Sequence, residues 1–302
     1  MKQSLTAHIS SLPVNVQTGI RWHGSWGRGY IETNRLLYDY ELVYFGAGHG
    51  RVITARATFP CGPGSVVIIP PGLVHCTVAD SVLERWCIHF NWHGDCRAYH
   101  ERRYPFVYLN RPGEFDETLK AEPPGFALEF PVFRLLGSEH AARMNVLLSD
   151  YFMGVPQGIA EQLRRQGVLL EILALAVAEP SGSAAASAVA AEERGSPRFL
   201  HAKTLLDSRF REPGLRVRDI AAELRITPNH LVKLFRRHVG MSVLDYLRAR
   251  RLEHAAGLLR ETALTVREIA AQCGFEDPNY FTRCFRRHYG RTPTAGRIAP
   301  EL

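Results

Sequence analysis

The sequence predicts an α+β multidomain protein, with an antiparallel β-barrel or sandwich at the N-terminus and an all-α domain at the C-terminus. Short alternating segments separated by glycine and proline fill the first ~115 residues, which is typical of all-β domains. Helical periodicity dominates the last third of the chain. There the tetrapeptide Phe-Arg-Arg-His occurs twice, at residues 235–238 and 285–288, which indicates a repeated helical unit.

The N-terminal strands are recognised by their period of two. Across residues 38–44, tyrosines and a leucine alternate with Asp39, Glu41 and Val43, which predicts a half-buried strand. Further strands are expected at residues 51–59, 65–69 and 85–92, and turns at 46–50, 60–64 and 70–72.

A change of pattern after residue 141 predicts a helical region. Residues 160–178 carry many leucine, isoleucine and valine residues with only Gly167 as a breaker, so a helix with a broad buried face is expected. Packing between domains or subunits and contact with lipid both remain open for it. The expected domains are residues 1–115 (barrel), 116–180 (helical dimerisation or linker region), 181–197 (flexible linker) and 198–302 (helical domain).

Positive charge is concentrated in the last third of the chain. Residues 197–302 hold 20 Lys and Arg against 11 Asp and Glu, a net charge of +9, whereas the first 196 residues carry 17 against 19. This asymmetry favours a nucleic-acid-binding module joined to a domain of another kind, with a merely solvated basic surface as the alternative.

The cysteines and the N-terminus indicate a cytosolic protein. The six cysteines form no C-x-x-C pair, which argues against a tight zinc site and favours reduced thiols. We find no stretch of signal-peptide length at the N-terminus and no apolar run long enough for a membrane span.

The repeated unit is predicted to be a short helix, a turn and a second helix. Residues 219–224 align with 268–273, and 227–231 with 277–281, so the offset changes from 49 to 50 within the turn. Thr227 and Asp277 are suitable N-caps, each followed by a proline at the first helical position. Thr265 and Glu268 form a capping box. Gly274 suits a left-handed turn position, for which Arg225 in the first unit is less favourable.

The second helix of each unit is expected to pack one face and expose the other. On a helical wheel, apolar residues of both helices share one side, and Asn, Lys, Arg, Val and Thr share the opposite side. These types suit base edges in the major groove. The alternative is a pair of helical hairpins with solvated basic faces. A helix over residues 243–260, about 27 Å long, would separate the two by roughly one DNA turn of about 34 Å.

Over residues 199–297 the sequence resembles the AraC/XylS family of bacterial transcription regulators. The resemblance is carried by motif residues spread over both units, including Ile220, Phe235, Ile269, Tyr280 and Pro293. It implies that the second helix of each unit reads double-stranded operator or promoter DNA. The base-reading positions are Asn229, Val232, Lys233, Asn279, Thr282 and Arg283, and the phosphate-contacting positions are Arg236, Arg237, Arg286 and Arg287. Gly296 replaces the aromatic residue that the family usually has there.

The N-terminal region resembles the cupin-type sensor barrel of such regulators. Residues 64–75 fit the second cupin motif, G-x5-P-x-G-x2-H, ending at His75. The resemblance implies a small-molecule effector, a sugar or another metabolite, bound inside the barrel, together with homodimerisation and RNA polymerase as a partner. Candidate effector-pocket residues are Arg35, Tyr40, His75, Arg85 and Trp86. His75 has a structural role as its alternative.

No catalytic residue, metal site or other cofactor is expected. The region of the first cupin motif offers only His49, so a metal would lack ligands. The sequence thus predicts an effector-controlled transcription regulator. A cupin enzyme with a DNA-binding appendage and an effector-independent architectural binder are the alternative hypotheses.

Overall fold

The computed structural model describes residues 17–94, 98, 106–109, 115–124, 128–154, 157–178 and 197–296. Contacts between residues divide the chain into two compact units, and the main division falls before Pro197. Most of the expected linker (181–197), Cys96 and Arg297 lie outside the described residues.

Within its described residues, the N-terminal unit contains two five-stranded antiparallel sheets and two α-helices. The first sheet has the strand order β1-β8-β3-β6-β10 and the second the order β5-β4-β7-β2-β9. The strands are β1 (Gln17–Trp26), β2 (Arg35–Leu37), β3 (Tyr40–Ala47), β4 (Gly50–Thr54), β5 (Thr58–Cys61), β6 (Ser65–Ile69), β7 (His75–Ala79), β8 (Leu83–Asn91), β9 (Phe106–Tyr108) and β10 (Val132–Leu135). A 3₁₀ turn covers Glu117–Leu119, and the helices are α1 (Ser138–Phe152) and α2 (Ile159–Val177).

The first sheet is buried on both faces, so the expectation of a half-buried strand at residues 38–44 is wrong. Leu42 and Tyr44 of β3 pack against α1 and α2 in one hydrophobic cluster. Val43 and Phe45 pack in a second cluster with residues of the other sheet. Burial on both faces follows because helices cover one side of this sheet and strands cover the other.

Two boundaries also differ from expectation. The strand expected at residues 51–59 is interrupted at Ala55–Ala57, where the Thr54 hydroxyl accepts from Ala57 N at 2.9 Å and divides it into β4 and β5. Val132–Leu135, within the region expected to be helical, forms β10 and pairs with β6 at the edge of the first sheet. The helix expected at residues 160–178 is confirmed as α2.

The C-terminal unit is helical throughout its described elements. These are α3 (Pro197–Arg209), α4 (Val217–Glu223), α5 (Pro228–Val239), α6 (Val243–Glu261), α7 (Val266–Gln272), α8 (Pro278–Tyr289) and α9 (Pro293–Gly296). The pairs α4–α5 and α7–α8 are the two predicted helix-turn-helix units, and α6 joins them. No helix in the described part of the chain is both long and apolar enough to span a membrane.

Candidate nucleic-acid interface and ligand site

The starts of α5 and α8 are capped as predicted. The Thr227 hydroxyl accepts from His230 N at 3.2 Å, and the Asp277 carboxylate accepts from Asn279 N at 2.8 Å. Pro228 and Pro278 follow as the first helical residues. These caps satisfy donors that helix formation leaves open, so both helices begin at a defined residue.

Aromatic packing sets the orientation of both helices. In α5, Phe235 is fully buried and contacts the rings of Phe199 and Tyr246, at centroid distances of 5.2 Å each. In α8, Phe281 and Phe285 are buried in a cluster that includes residues of α6 and α7. Since these anchors hold one stripe of each helix in the core, the opposite stripe faces solvent.

The residues predicted to read bases lie on that outer stripe. Asn229, Lys233, Asn279 and Arg283 are exposed, and Val232 and Thr282 are half-buried. The Thr282 hydroxyl donates its proton to the Pro278 carbonyl at 2.9 Å, so Thr282 can offer a partner its methyl group and an acceptor oxygen but no donor. The two outer stripes therefore offer amide, cationic and methyl groups in the same order.

The four arginines predicted to contact phosphates are also exposed. Arg236, Arg237, Arg286 and Arg287 lie in the last turns of α5 and α8, where positive charge complements the helix dipole. The histidines that end the two quartets differ in environment. His238 is buried and stacks on Phe199 at 4.7 Å, whereas His288 is exposed. The repeated quartet is thus equivalent in its arginines and not in its histidines.

The turns and the connecting helix complete the two-unit arrangement. Arg225 adopts φ 53° and Gly274 adopts φ 78°, so the left-handed turn expected in both units is confirmed. At Gly274 a Cβ atom would lie 2.8 Å from the Arg211 carbonyl oxygen, which makes glycine necessary there. The 19 residues of α6 span about 28 Å. Tyr246 at its start contacts the first unit, and Leu252 packs in the cluster of the second.

In the N-terminal unit the structure brings three of the five candidate pocket residues together. Arg35 Nε donates to His75 Nε2 at 3.1 Å, and His75 Nδ1 donates to the Leu73 carbonyl at 2.9 Å. The Arg35 guanidinium also lies 3.3 Å from Glu32, which Arg85 approaches at the same distance. Because both of its ring nitrogens are engaged, His75 carries its proton on Nδ1 and has a structural role at least.

Tyr40 and Trp86 are separated from that group. Along β3 and β8 they alternate with residues that face the second sheet. Both belong instead to the hydrophobic cluster under α1 and α2. The Tyr40 hydroxyl donates to the Glu122 carbonyl at 3.5 Å, and the Trp86 ring stacks on His23 at 3.5 Å. The five residues therefore do not line one cavity.

Sequence reasoning missed the acidic partners of this cluster. Glu41 accepts two hydrogen bonds from Arg35, at 2.8 and 2.7 Å, and is fully buried. His89 donates to Asp39 at 2.9 Å and lies 3.6 Å from Glu41. The sequence did contain a signal for Glu41. Side chains two residues apart on a strand lie on the same face, so Glu41 shares a face of β3 with Val43 and Phe45, which are buried.

Burial and charge act in opposite directions on these carboxylates. Burial raises the pKa of Glu41, but the charge of the Arg35 guanidinium outweighs it and holds that pKa well below its ordinary 4.5. The pKa of Glu32 is also lowered, because Arg35 and Arg85 together outweigh its burial. Both groups are therefore ionised in the folded unit.

We expect the N-terminal unit to lose stability in acid. A carboxylate whose pKa is lowered by folding stabilises the fold above its unfolded pKa, and that contribution disappears as the pH falls from about 4.5 through the folded value. The four tryptophans, at 22, 26, 86 and 92, all lie in this unit, so urea unfolding followed by tryptophan fluorescence between pH 7 and 3 measures it. A stability independent of pH below 5 would contradict the role assigned to Glu41 and Glu32.

Comparison with known proteins matches each of these two regions to a family. Residues 16–93 match the AraC-like ligand-binding domain, and residues 220–297 match a helix-turn-helix domain. The transcriptional regulator YpdC of Escherichia coli is 45% identical over 74 residues, covering 24% of this chain and 26% of that protein. The transcriptional activator RhaR of Yersinia pseudotuberculosis is 45% identical over 75 residues, covering 25% and 26%.

A solved structure of a DNA complex is also similar over the C-terminal region. The DNA-binding domain of AdpA, a global transcriptional factor solved with a target DNA, is 27% identical over 33% of this chain and 89% of that one, with a TM-score of 0.32. The matches to YpdC and RhaR span about a quarter of those relatives. On the two matched domains, one in each unit, the chain belongs to the AraC/XylS family of helix-turn-helix transcription regulators with an N-terminal ligand-binding domain.

Proposed function

We propose that this regulator binds one operator through α5 and α8 together and that a small-molecule effector controls this binding. The observation that carries the proposal is the duplicated exposed stripe, Asn229 and Lys233 on α5 and Asn279 and Arg283 on α8. The 28 Å length of α6 suits two reading helices that enter successive major grooves about 34 Å apart.

The side-chain chemistry supports a division of labour along each helix. Asn229 and Asn279 suit adenine, Lys233 and Arg283 suit guanine, and the methyl groups of Val232 and Thr282 suit thymine. The arginines of the last turns neutralise phosphates and hold the register. Specificity then comes from the first two turns of α5 and α8, and much of the affinity comes from the last turn.

The N-terminal unit is proposed to bind the effector and to pair two copies of the chain. Ionic and aromatic groups converge where Arg85 lies 3.7 Å from the centre of the Trp26 ring and 5.2 Å from that of Trp22, and a sugar or another polar metabolite fits such walls. Large apolar side chains are exposed on α1 (Val146), directly after it (Met153) and on α2 (Ile159, Leu163 and Leu170). Exposed apolar side chains of this size favour a contact with a second copy.

Regulation is proposed to act by a population shift in the cytoplasm. An effector that prefers one arrangement of the chain changes the share of molecules in which both reading helices are presented to DNA. We propose activation through RNA polymerase as the outcome. Footprinting of the upstream DNA by the full chain, with and without a metabolite extract, tests effector control. Stoichiometric iron, zinc or manganese in the purified protein would instead support a cupin enzyme.

Replacing Arg283 by alanine is expected to weaken operator binding by about 1–3 kcal/mol, or about 5- to 150-fold in Kd, and to relax specificity at one base pair. The physical reason is the loss of a bidentate contact to guanine. Fluorescence anisotropy on the operator and on a set of single-base variants measures both effects at one fixed salt concentration.

The matched control is Arg260→Ala, which removes an exposed arginine at the end of α6, outside both reading helices. It should leave the base preferences unchanged. If Arg283→Ala weakened the operator and random DNA equally, Arg283 would be a phosphate contact and the proposed reading set would be wrong at that position.

A further inference from the structure

The C-terminal unit contains a groove of 640 Å³ between the connecting helix α6 and the reading helix α8. One wall is formed by α6 and the turn before it, with Asp245, Arg248 and Ala249. The other wall is formed by α8, with Arg283 and Arg287. Its volume lies within the range of about 300–1,000 Å³ that is usual for small-molecule sites.

The inner surface of the groove is apolar. Leu252 of α6 forms part of it together with Met241, and α8 contributes the Tyr280 ring and the Cys284 thiol. Tyr280 remains 42% exposed, so its ring is available to an incoming group. A phosphate does not need apolar walls, whereas an organic molecule with a hydrocarbon or aromatic body does.

The rim of the groove is positively charged. Arg248 comes from α6, and Arg283 and Arg287 come from α8, while Asp245 is the acidic residue among the lining residues. Asp245 is already engaged, since it accepts from Arg248 at 2.9 Å and from Ser242 at 2.6 Å. Three guanidinium groups and one carboxylate leave a net positive charge at the rim, which favours an anionic partner.

Tyr280 of α8 lies beside cations of both walls. Burial alone would lower the pKa of Arg248 on α6, but its neighbours Tyr280 and Asp245 outweigh that effect and raise it. The Arg283 guanidinium lies 5.9 Å from the centre of the same Tyr280 ring. Tyr280 thus lies between two cations, at the position where an aromatic or aliphatic acid would place its apolar body.

We propose that this groove is a second ligand site, which binds a small amphipathic organic anion, an aromatic or branched aliphatic carboxylate, and that this ligand and the operator exclude each other. The carboxylate pairs with Arg248 and Arg283, and the apolar body lies against Tyr280 and Leu252. The proposal that the ligand binds rests on the groove alone. Exclusion of DNA rests on the proposed function, because it needs Arg283 and Arg287 to contact DNA.

The test uses the full chain and naphthalene-2-carboxylate as the probe. Binding is measured by isothermal titration calorimetry without DNA, and its location by the rate at which iodoacetamide alkylates Cys284. Among the described cysteines Cys284 is the one that is not buried, and burial raises the pKa of Cys273 to about 12. Cleavage after glutamate places Cys284 on the peptide 277–301, apart from every other cysteine. The probe should bind and slow alkylation of Cys284.

Two variants outside the proposed DNA-contact set assign the site. Ala249→Phe fills the groove, and Arg248→Gln removes a cation from its rim, so each should raise the Kd of the probe about tenfold or more. Arg260→Gln, farther along α6, should leave it unchanged, and thermal melts confirm that each variant is folded. Probe binding that survives both groove variants, or that leaves alkylation of Cys284 unaffected, would overturn the proposal.

Competition with the operator gives the second readout. The probe should raise the operator Kd of the parent protein but not that of Ala249→Phe, whose operator affinity without probe should equal that of the parent. If Arg248→Gln weakens operator binding and no probe binding is seen, the groove holds the DNA backbone and the ligand site is refuted. Probe binding at Cys284 without competition would refute the exclusion and leave the ligand site standing.

Discussion

Replacing Glu41 by glutamine is expected to destabilise the N-terminal unit by about 3–5 kcal/mol, the usual cost of removing one partner of a buried ion pair. Glu41 is fully buried and accepts two hydrogen bonds from Arg35, at 2.8 and 2.7 Å. Without this carboxylate the Arg35 charge remains in the interior, with Glu32 at 3.3 Å as its remaining acidic neighbour. Urea unfolding followed by tryptophan fluorescence measures the stability of this unit, which contains all four tryptophans.

A matched control separates the buried pair from a general effect of charge. Glu129→Gln makes the same chemical change at an exposed position and should alter the unfolding free energy by less than about 0.5 kcal/mol. The unfolding free energy of Glu41→Gln should also fall less steeply as the pH is lowered, because this variant lacks the carboxylate whose pKa is lowered by folding. A loss below about 1 kcal/mol would show that Glu32 alone balances Arg35.

Replacing Asp207 by alanine is expected to destabilise the C-terminal unit by a similar amount, about 3–5 kcal/mol. Asp207 is buried and accepts from Lys203 Nζ at 2.8 Å, and its other oxygen lies 3.1 Å from Arg250 Nε. Lys203 itself is fully buried, so its charge would lose its partner. Burial together with the Asp207 charge raises the pKa of Tyr246 well above 10, so the Tyr246 hydroxyl keeps its proton and donates to Asp207.

This second prediction has a functional consequence, because Asp207 joins α3 to α6. The helix α6 carries Tyr246 against the first reading helix and Leu252 against the second unit. Asp207→Ala should therefore weaken operator binding without removing any reading residue. Helical circular dichroism measures the unfolding, and the exposed Glu261→Gln on α6 is the control. Unchanged circular dichroism and unchanged DNA affinity in Asp207→Ala would refute the assigned role.

The helix-turn-helix units were predictable because their signals are local. A cap such as Thr227, the proline after it and the glycine after the helix act within a few residues of one another. The apolar stripe of α8 can likewise be located from its own spacing. Since the unit occurs twice, the pattern in each copy supports the interpretation of the other. The exposed positions of Asn279 and Arg283 follow from this pattern without any knowledge of tertiary contacts.

The sheet-rich unit was less predictable because its pattern depends on what lies against each face. Alternation in β3 indicated one buried face, yet helices α1 and α2 cover the face that holds Tyr40 and the second sheet covers the other. The alternation of side chains along one strand cannot show which face of the sheet holds a cavity. For this reason Tyr40 and Trp86 were grouped with Arg35, although they lie on the opposite side of the sheet.

The sequence by itself determined the second helix of each helix-turn-helix unit, its cap and the side chains that it exposes, because the atoms that decide these features lie within a turn or two of each other. Only the tertiary structure decided which charges enter the interior and where a groove forms. Glu41 meets Arg35 through a turn between strands of different sheets, and Arg248 meets Tyr280 across 32 residues of chain. Such pairings depend on how whole strands and helices pack against one another, and no local pattern specifies them.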